Sequence, residues 1–451
     1  MRELPRNRDA RMDIRSPVSL RTLVVAVAVA VLGAGCATRM EPPAPTVVLP
    51  TEPAAKAPAP VPEQTPPRPP VIAKPAPPVA KPSPPPAGPA PAPAPVPVPP
   101  VIVAPPPVPV ISVAEGRARV NRLLPASVAD RNGWAADIYT AFATLQIAPT
   151  PENICAVVAI TEQESTFRAD PQVPGLAKIA WKEIDRQSDK VGVPKLVVLG
   201  ALALPSSNGK SYSKRIDAVK TERELSEIFE DFIGMVPLGK TFFADRNPVR
   251  TGGPMQVSIA YAESHAALKP YPYTPQTTIR HEVLKRRGGV YFGIAHLLDY
   301  PANYDTPLYR FADFNAGHYA SRNAAFQRAV TQATAVALVP DGDLLRYDQG
   351  VPVKEPSATE RALQTLAPRL RMNVGDIRRD LELARSADFE RTALYQRLYA
   401  LADGAAGRAL PRAVLPQIEL KSPKITRKLT TEWFANRVDG RYRDCLGRAG
   451  A

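Results

Sequence analysis

Thr150-Pro-Glu-Asn-Ile-Cys-Ala-Val-Val-Ala-Ile-Thr-Glu-Gln-Glu-Ser165 is the stretch on which the fold class turns. Thr150 is a helix cap, Pro151 suits the first helical position and Glu152 favours the first turn. On a wheel of 100 degrees per residue, Ile160, Val157, Thr161, Ile154, Ser165 and Val158 share one arc. Glu164 falls inside that arc, Glu162 at its edge, and Gln163 on the polar side with Glu152. An ionised carboxylate on an apolar face is costly. Burial raises its pKa and keeps it protonated, as a general acid near neutral pH requires. The other reading of Glu164 is a helix-end carboxylate, exposed or paired with an arginine.

Outward from this helix the chain continues to read as mainly α. Asp130 to Ile147 has helical spacing through Trp134, Ile138, Phe142 and Leu145. Further helices are expected at 176–189, 222–234, 276–287, 289–300, 306–317, 322–337, 357–368, 374–384, 389–402 and 428–446. Thr221 and Glu224 form a capping box for the second of these. No repeat of fixed period is present.

The amino-terminal quarter has another character. Of 451 residues, 54 are proline, most of them before Val110. Arginines precede an apolar run from Leu23 to Leu32, with small residues and Cys36 after it, the order of an export signal starting at Met1 or Met12. The run is about ten residues, short for a permanent membrane helix. Leu32-Gly33-Ala34-Gly35-Cys36 resembles a lipoprotein processing site, although Gly33 stands where such sites usually have Leu. The resemblance implies that Cys36 is the lipidated first residue and that the protein sits on the periplasmic face of the outer membrane. Residues 37–113 are rich in Pro, Ala and Val and cannot build a packed core. They are expected to form a disordered, semi-rigid linker that reaches on the order of 200 Å when extended. Two cysteines remain, Cys155 and Cys445. In an exported domain they form either a disulfide or one buried and one tail thiol.

Several chemistries are excluded or unsupported. The net charge of +14 suits a basic surface or a polyanionic partner. Zinc-finger spacing and Arg-rich helices with interleaved aromatics are absent, so no nucleic-acid partner is expected. The histidines are His265, His281, His296 and His318. His281-Glu282 lacks a second His four residues on, and no metal or other cofactor is expected. There is no Gly-x-Ser-x-Gly and no phosphate loop.

Ala156-Val-Val-Ala-Ile-Thr-Glu-Gln-Glu164-Ser165-Thr-Phe167 resembles the catalytic-helix motif of lytic transglycosylases and goose-type lysozymes. Gly252-Gly253-Pro254-Met255-Gln256 resembles their Gly-Leu-Met-Gln segment, and Phe314-Asn315-Ala316-Gly317 their Tyr-Asn-Ala-Gly segment. Gly289 to Tyr300 resembles the intervening helix. The chain also looks like a group of bacterial lipoproteins of unassigned function. The resemblance implies a lysozyme-like domain over 114–340 with a helical insertion at 172–250, followed by a helical extension over 341–451; the signal would end at Cys36, closing residues 1–36.

The same resemblance implies cleavage of the MurNAc–GlcNAc bond in peptidoglycan glycan strands, with Glu164 as sole acid and base. Met255, Gln256 and Asn315 would shape the sugar sites. Ser165 would orient the acid or contact an acetamido group. Tyr395, in a loose echo of a late Glu-Thr-x-x-Tyr segment, would hold Glu164. Pro254 and Phe314 depart from the family pattern. Asp170, Glu263, Asp305 and Asp313 are further acids that no motif aims at the site, and Tyr271, Tyr273 and Tyr319 are candidate sugar platforms. A muramidase and a non-catalytic peptidoglycan-binding lipoprotein are the alternatives.

Overall fold

The computed structural model describes residues 111–275, 277–348, 350–420 and 429–450. The expected signal, Cys36 and most of the linker lie outside them. The described chain is mainly α, with three two-residue antiparallel ladders as its only strands. No described helix is long and apolar enough to cross a membrane.

The first helices are α1 (Val113–Leu123), α2 (Arg131–Leu145) and α3 (Pro151–Ser165). Thr150 caps α3 by accepting from the Asn153 amide at 3.3 Å, and Pro151 opens it. The wheel assumed one solvent side for this helix. In fact every residue from Ile154 to Thr161 is buried, because α1, a helix from 286–298 and one from 431–447 pack around it. Gln163, expected on a polar side, is therefore 1% exposed.

Residues 172–250 contribute α4 (Leu176–Val191), α5 (Lys195–Leu202), α6 (Tyr212–Ala218), α7 (Glu222–Gly234) and the short α8 (Gly239–Phe243). The capping box at Thr221 and Glu224 is formed in both directions. Strand β1 (Thr251–Gly252) then pairs with β2 (Val257–Ser258), so residues 253–256 make a hairpin turn. Helices α9 (Ile259–Leu268), α10 (Ile279–Val283), α11 (Arg286–Leu298), α12 (Pro307–Ala316) and α13 (Ala320–Thr334) follow.

The remaining chain does not form one extension. Strands β3 (Tyr347–Asp348) and β4 (Val351–Pro352) lead into α14 (Ala358–Thr365), α15 (Ala367–Leu370), α16 (Val374–Glu382) and α17 (Ala393–Ala406). These build a second apolar core, from Phe326 of α13 to Ala402, with α17 packed on α13. After β5 (Glu419–Leu420) and β6 (Leu429–Thr430), helix α18 (Thr431–Gly447) returns to the first core. It packs on α3 and α12, and a disulfide joins Cys445 to Cys155 across 290 residues. The expected boundary at residue 340 therefore falls inside the second core, which takes Phe326, Ala329 and Val330 from α13, while α18 belongs with the first. Its buried face of Phe434, Ala435, Val438 and Tyr442 needs a partner, and α3 supplies one.

Candidate functional site

Glu164 stands in the last turn of α3, where the backbone leaves the helix abruptly. Thr166 and Phe167 both adopt left-handed conformations, φ 51 and 58 degrees, which non-glycine residues seldom take. The turn folds Phe167 edge-on against Trp134 of α2, with ring centroids 5.2 Å apart. The carboxyl of Glu164 is left half-buried at the end of the helix. Burial lifts its pKa from an ordinary 4.5 to about 8; the negative charge of Glu222 adds to the rise, and Arg441 of α18 opposes it. The carbonyl end of the helix disfavours an anion as well. At neutral pH this group keeps a proton it can donate.

The hairpin turn at 253–256 is linked to it through Glu222, which bonds Gln256 and acts on the charge of Glu164. Gly253 has φ 73 degrees, and a Cβ there would stand 2.1 Å from the Val283 carbonyl oxygen, so only glycine fits. Gln256 also has positive φ, 50 degrees. Its Nε2 donates to Glu222 Oε2 at 2.9 Å and more weakly to the Gly253 carbonyl at 3.3 Å. Its Oε1 is buried without a hydrogen-bond partner among the described residues. Glu222 opens α7 and is 5% exposed. Helix α7 therefore brings a second carboxylate within electrostatic reach of the first.

Several sequence expectations do not survive this geometry. Met255 is fully buried, with Gly293 of α11 leaving it room, so it packs the turn and forms no sugar wall. The Ser165 hydroxyl donates back to the Thr161 carbonyl at 3.1 Å, which ties it to its own helix and away from the acid. Tyr395 lies in the second core among Phe326, Phe389 and Tyr399 and does not hold Glu164. Asn315 is half-buried at the end of α12, where its Oδ1 accepts from the Thr431 hydroxyl of α18 at 3.1 Å.

Most of the other acids and aromatics serve the framework. Asp170 pairs with Arg223 at 2.8 Å. Asp313 is buried and accepts from the Tyr300 and Tyr304 hydroxyls and the Tyr319 and Ser321 amides. Glu263 and Asp305 are exposed. Tyr271 donates to Glu282 at 2.8 Å, Tyr273 lies under Arg287, and Tyr319 lies under Arg322. Next to Phe314, the rings of Tyr261, His296, His318 and Tyr300 run in contact, with successive centroids 4.7, 4.5 and 4.0 Å apart. Burial, then the neighbouring His318, pushes the His296 pKa down to about 3, so this row is neutral.

Glu222 and Arg441 are the residues that sequence reasoning missed. An acid at the first position of a helix reads as a dipole partner, and Arg441 reads as one cation among many. Among the described residues, no group of three or more His, Cys, Asp and Glu side chains is arranged to hold a metal.

Comparison with known proteins places this chain without assigning it a role. A family model described as protein of unknown function (DUF1615) matches residues 127–448. The uncharacterized protein YaiW of Escherichia coli (strain K12) is 56% identical over 327 residues, covering 72% of this chain and 88% of the relative. No solved structure matches.

Proposed function

We propose, for a chain that belongs to the DUF1615 family of proteins of unknown function, that it is an envelope lipoprotein with a lysozyme-like domain that cleaves peptidoglycan as a lytic transglycosylase. The observation that carries this reading is Glu164, a half-buried carboxyl whose pKa of about 8 keeps it protonated at neutral pH. The lipid on Cys36 anchors the protein at the periplasmic face of the outer membrane, and the Pro-rich linker lets the domain reach the glycan.

One acid suffices when the substrate brings its own nucleophile. Glu164 gives its proton to the glycosidic oxygen between MurNAc and GlcNAc as the bond from that oxygen to the muramoyl C1 breaks. The carboxylate then takes the proton of the muramoyl C6 hydroxyl while that oxygen bonds to C1. A 1,6-anhydro end forms, the leaving sugar carries away one proton, Glu164 regains another, and no water is consumed.

Hydrolysis by water is a second reading, favoured by Glu222, since water attack on a glycoside generally uses a second carboxylate. Purified sacculi digested by wild type and Glu164→Gln, with product masses, test both. Anhydro ends mark the transglycosylase and reducing ends the hydrolase. Glu164→Gln should lose at least about 10²–10⁴-fold in rate, and Glu162→Gln should change little. Equal rates for Glu164→Gln and wild type would refute this site, and intact glycan with retained binding would make the domain a scaffold.

A further inference from the structure

The head of α7 is capped by Thr221 and Glu224 in a reciprocal capping box. Thr221 Oγ1 accepts from the Glu224 amide and Glu224 Oε2 accepts from the Thr221 amide, both at 3.2 Å. Glu222, between them in sequence, turns inward instead.

Glu222 Oε2 touches the hairpin turn and lies close to the strand that leads into it. It accepts from Gln256 Nε2 at 2.9 Å. It also lies 3.5 Å from where a Cβ on Gly252 would stand, so the backbone of that strand runs close beneath it. Gln256 holds a left-handed backbone, φ 50 degrees, which costs about 1–3 kcal/mol and persists only where neighbours enforce it. The bond to Glu222 is such a constraint. With Nε2 committed to Glu222 and the Gly253 carbonyl, the amide orientation is set, and Oε1 is the atom left for a donor on a ligand.

We propose that Glu222, at the head of α7, is a positioning residue that orients the Gln256 amide and adds its negative charge to the surroundings of Glu164. This role rests on the reading of Glu164 as the acid of the site. The charged groups acting on Glu164 are Glu222 from α7 and Arg441 from α18; α1 and α11 also pack on α3 and bring none. Arg441 is itself faced by Glu162 of α3 at 3.9 Å and by Arg437 and Asp444 on its own helix. The two charges pull Glu164 in opposite directions, so removing either has a defined sign. Without Glu222 the anion of Glu164 is easier to form.

The test is a titration that does not depend on turnover. Full-length protein labelled with ¹³C at the glutamate side-chain carboxyls is titrated by NMR, and the Glu164 signal is the one missing from Glu164→Gln. Glu222→Gln retains an oxygen that accepts from Gln256 and loses only the charge. It should lower the Glu164 midpoint by about half a pH unit or more and bring down the alkaline limb of sacculus cleavage with it. Glu222→Ala, which loses the acceptor as well, should cleave more slowly than Glu222→Gln at the pH optimum of each. Should Glu222→Gln fail to fold, Glu222→Asp withdraws the charge by one methylene and should move the midpoint the same way by less. A midpoint equal to wild type in the folded variant overturns the role of Glu222. A shifted midpoint in a protein that cleaves nothing supports that role and refutes the enzymatic reading instead.

Discussion

Replacing Glu164 by Gln should stabilise the fold, and only above a definable pH. An ordinary glutamate in the unfolded chain titrates near 4.5, whereas the folded protein holds the proton of Glu164 until about pH 8. Below 4.5 both states are protonated and the residue is neutral in the balance. Between those values the unfolded chain releases a proton that the native state retains, so ionisation favours unfolding and stability falls as pH rises. Above about 8 the loss is complete. The full interval corresponds to about 5 kcal/mol. Water reaches the half-buried carboxyl, so the effective loss is nearer 2 kcal/mol. Glutamine keeps the shape of the side chain and cannot ionise. Urea unfolding of both proteins at pH 5 and pH 9 reads the difference directly. The variant should match wild type at the lower pH and exceed it at the higher by about 2 kcal/mol. Parallel behaviour at the two pH values would mean that Glu164 is an ordinary exposed carboxylate, and the acid assignment would fall with it.

Three further outcomes are expected. Cys155→Ala with Cys445→Ala should lower stability by about 2–5 kcal/mol in the same urea assay; an unchanged midpoint would show that the pair does not staple the protein. Gly293→Ala places a Cβ 2.6 Å from the Met255 Cβ. It should cost about 1–3 kcal/mol and disturb the Gln256 turn, and a melting temperature equal to wild type would contradict the packing described. Cys36→Ala should leave the protein out of the membrane fraction or unprocessed at higher mass, and unchanged mass and fractionation would refute lipidation.

The parts of the fold legible in sequence were those written in local chemistry. Thr150 and Pro151 mark the start of α3 because a cap and a proline act within one turn, and Thr221 with Glu224 marks α7 for the same reason. The burial of Gln163 was illegible, since a wheel presumes a solvent side and α3 has little of one. Helix α9 escaped notice because Ile259 to Leu268 is rich in alanine and carries no clean apolar stripe. Tyr395 was misplaced by a short motif echo, although its neighbours Leu394, Leu398 and Ala402 already described a core of their own. Within the candidate site, Glu164 announced itself as an acid among apolar residues. Glu222 did not, because its position becomes informative only once the chain folds 34 residues back on itself to meet Gln256.

Synthesis runs from the amino end, and α3 is made long before α18. The buried face of α3 that meets α18 therefore remains bare while some 290 residues are added. Contacts of such sequence separation form slowly and leave apolar surface open to aggregation in the meantime. Cys155 would remain a lone thiol over the same interval, free to pair with the wrong partner in an oxidising compartment. The charged surroundings of Glu164 include Arg441, which opposes the rise in its pKa, so they too are complete only when α18 docks. A partly made chain would thus carry an acid helix without its finished surroundings, and the candidate site would mature as one of the final events of folding.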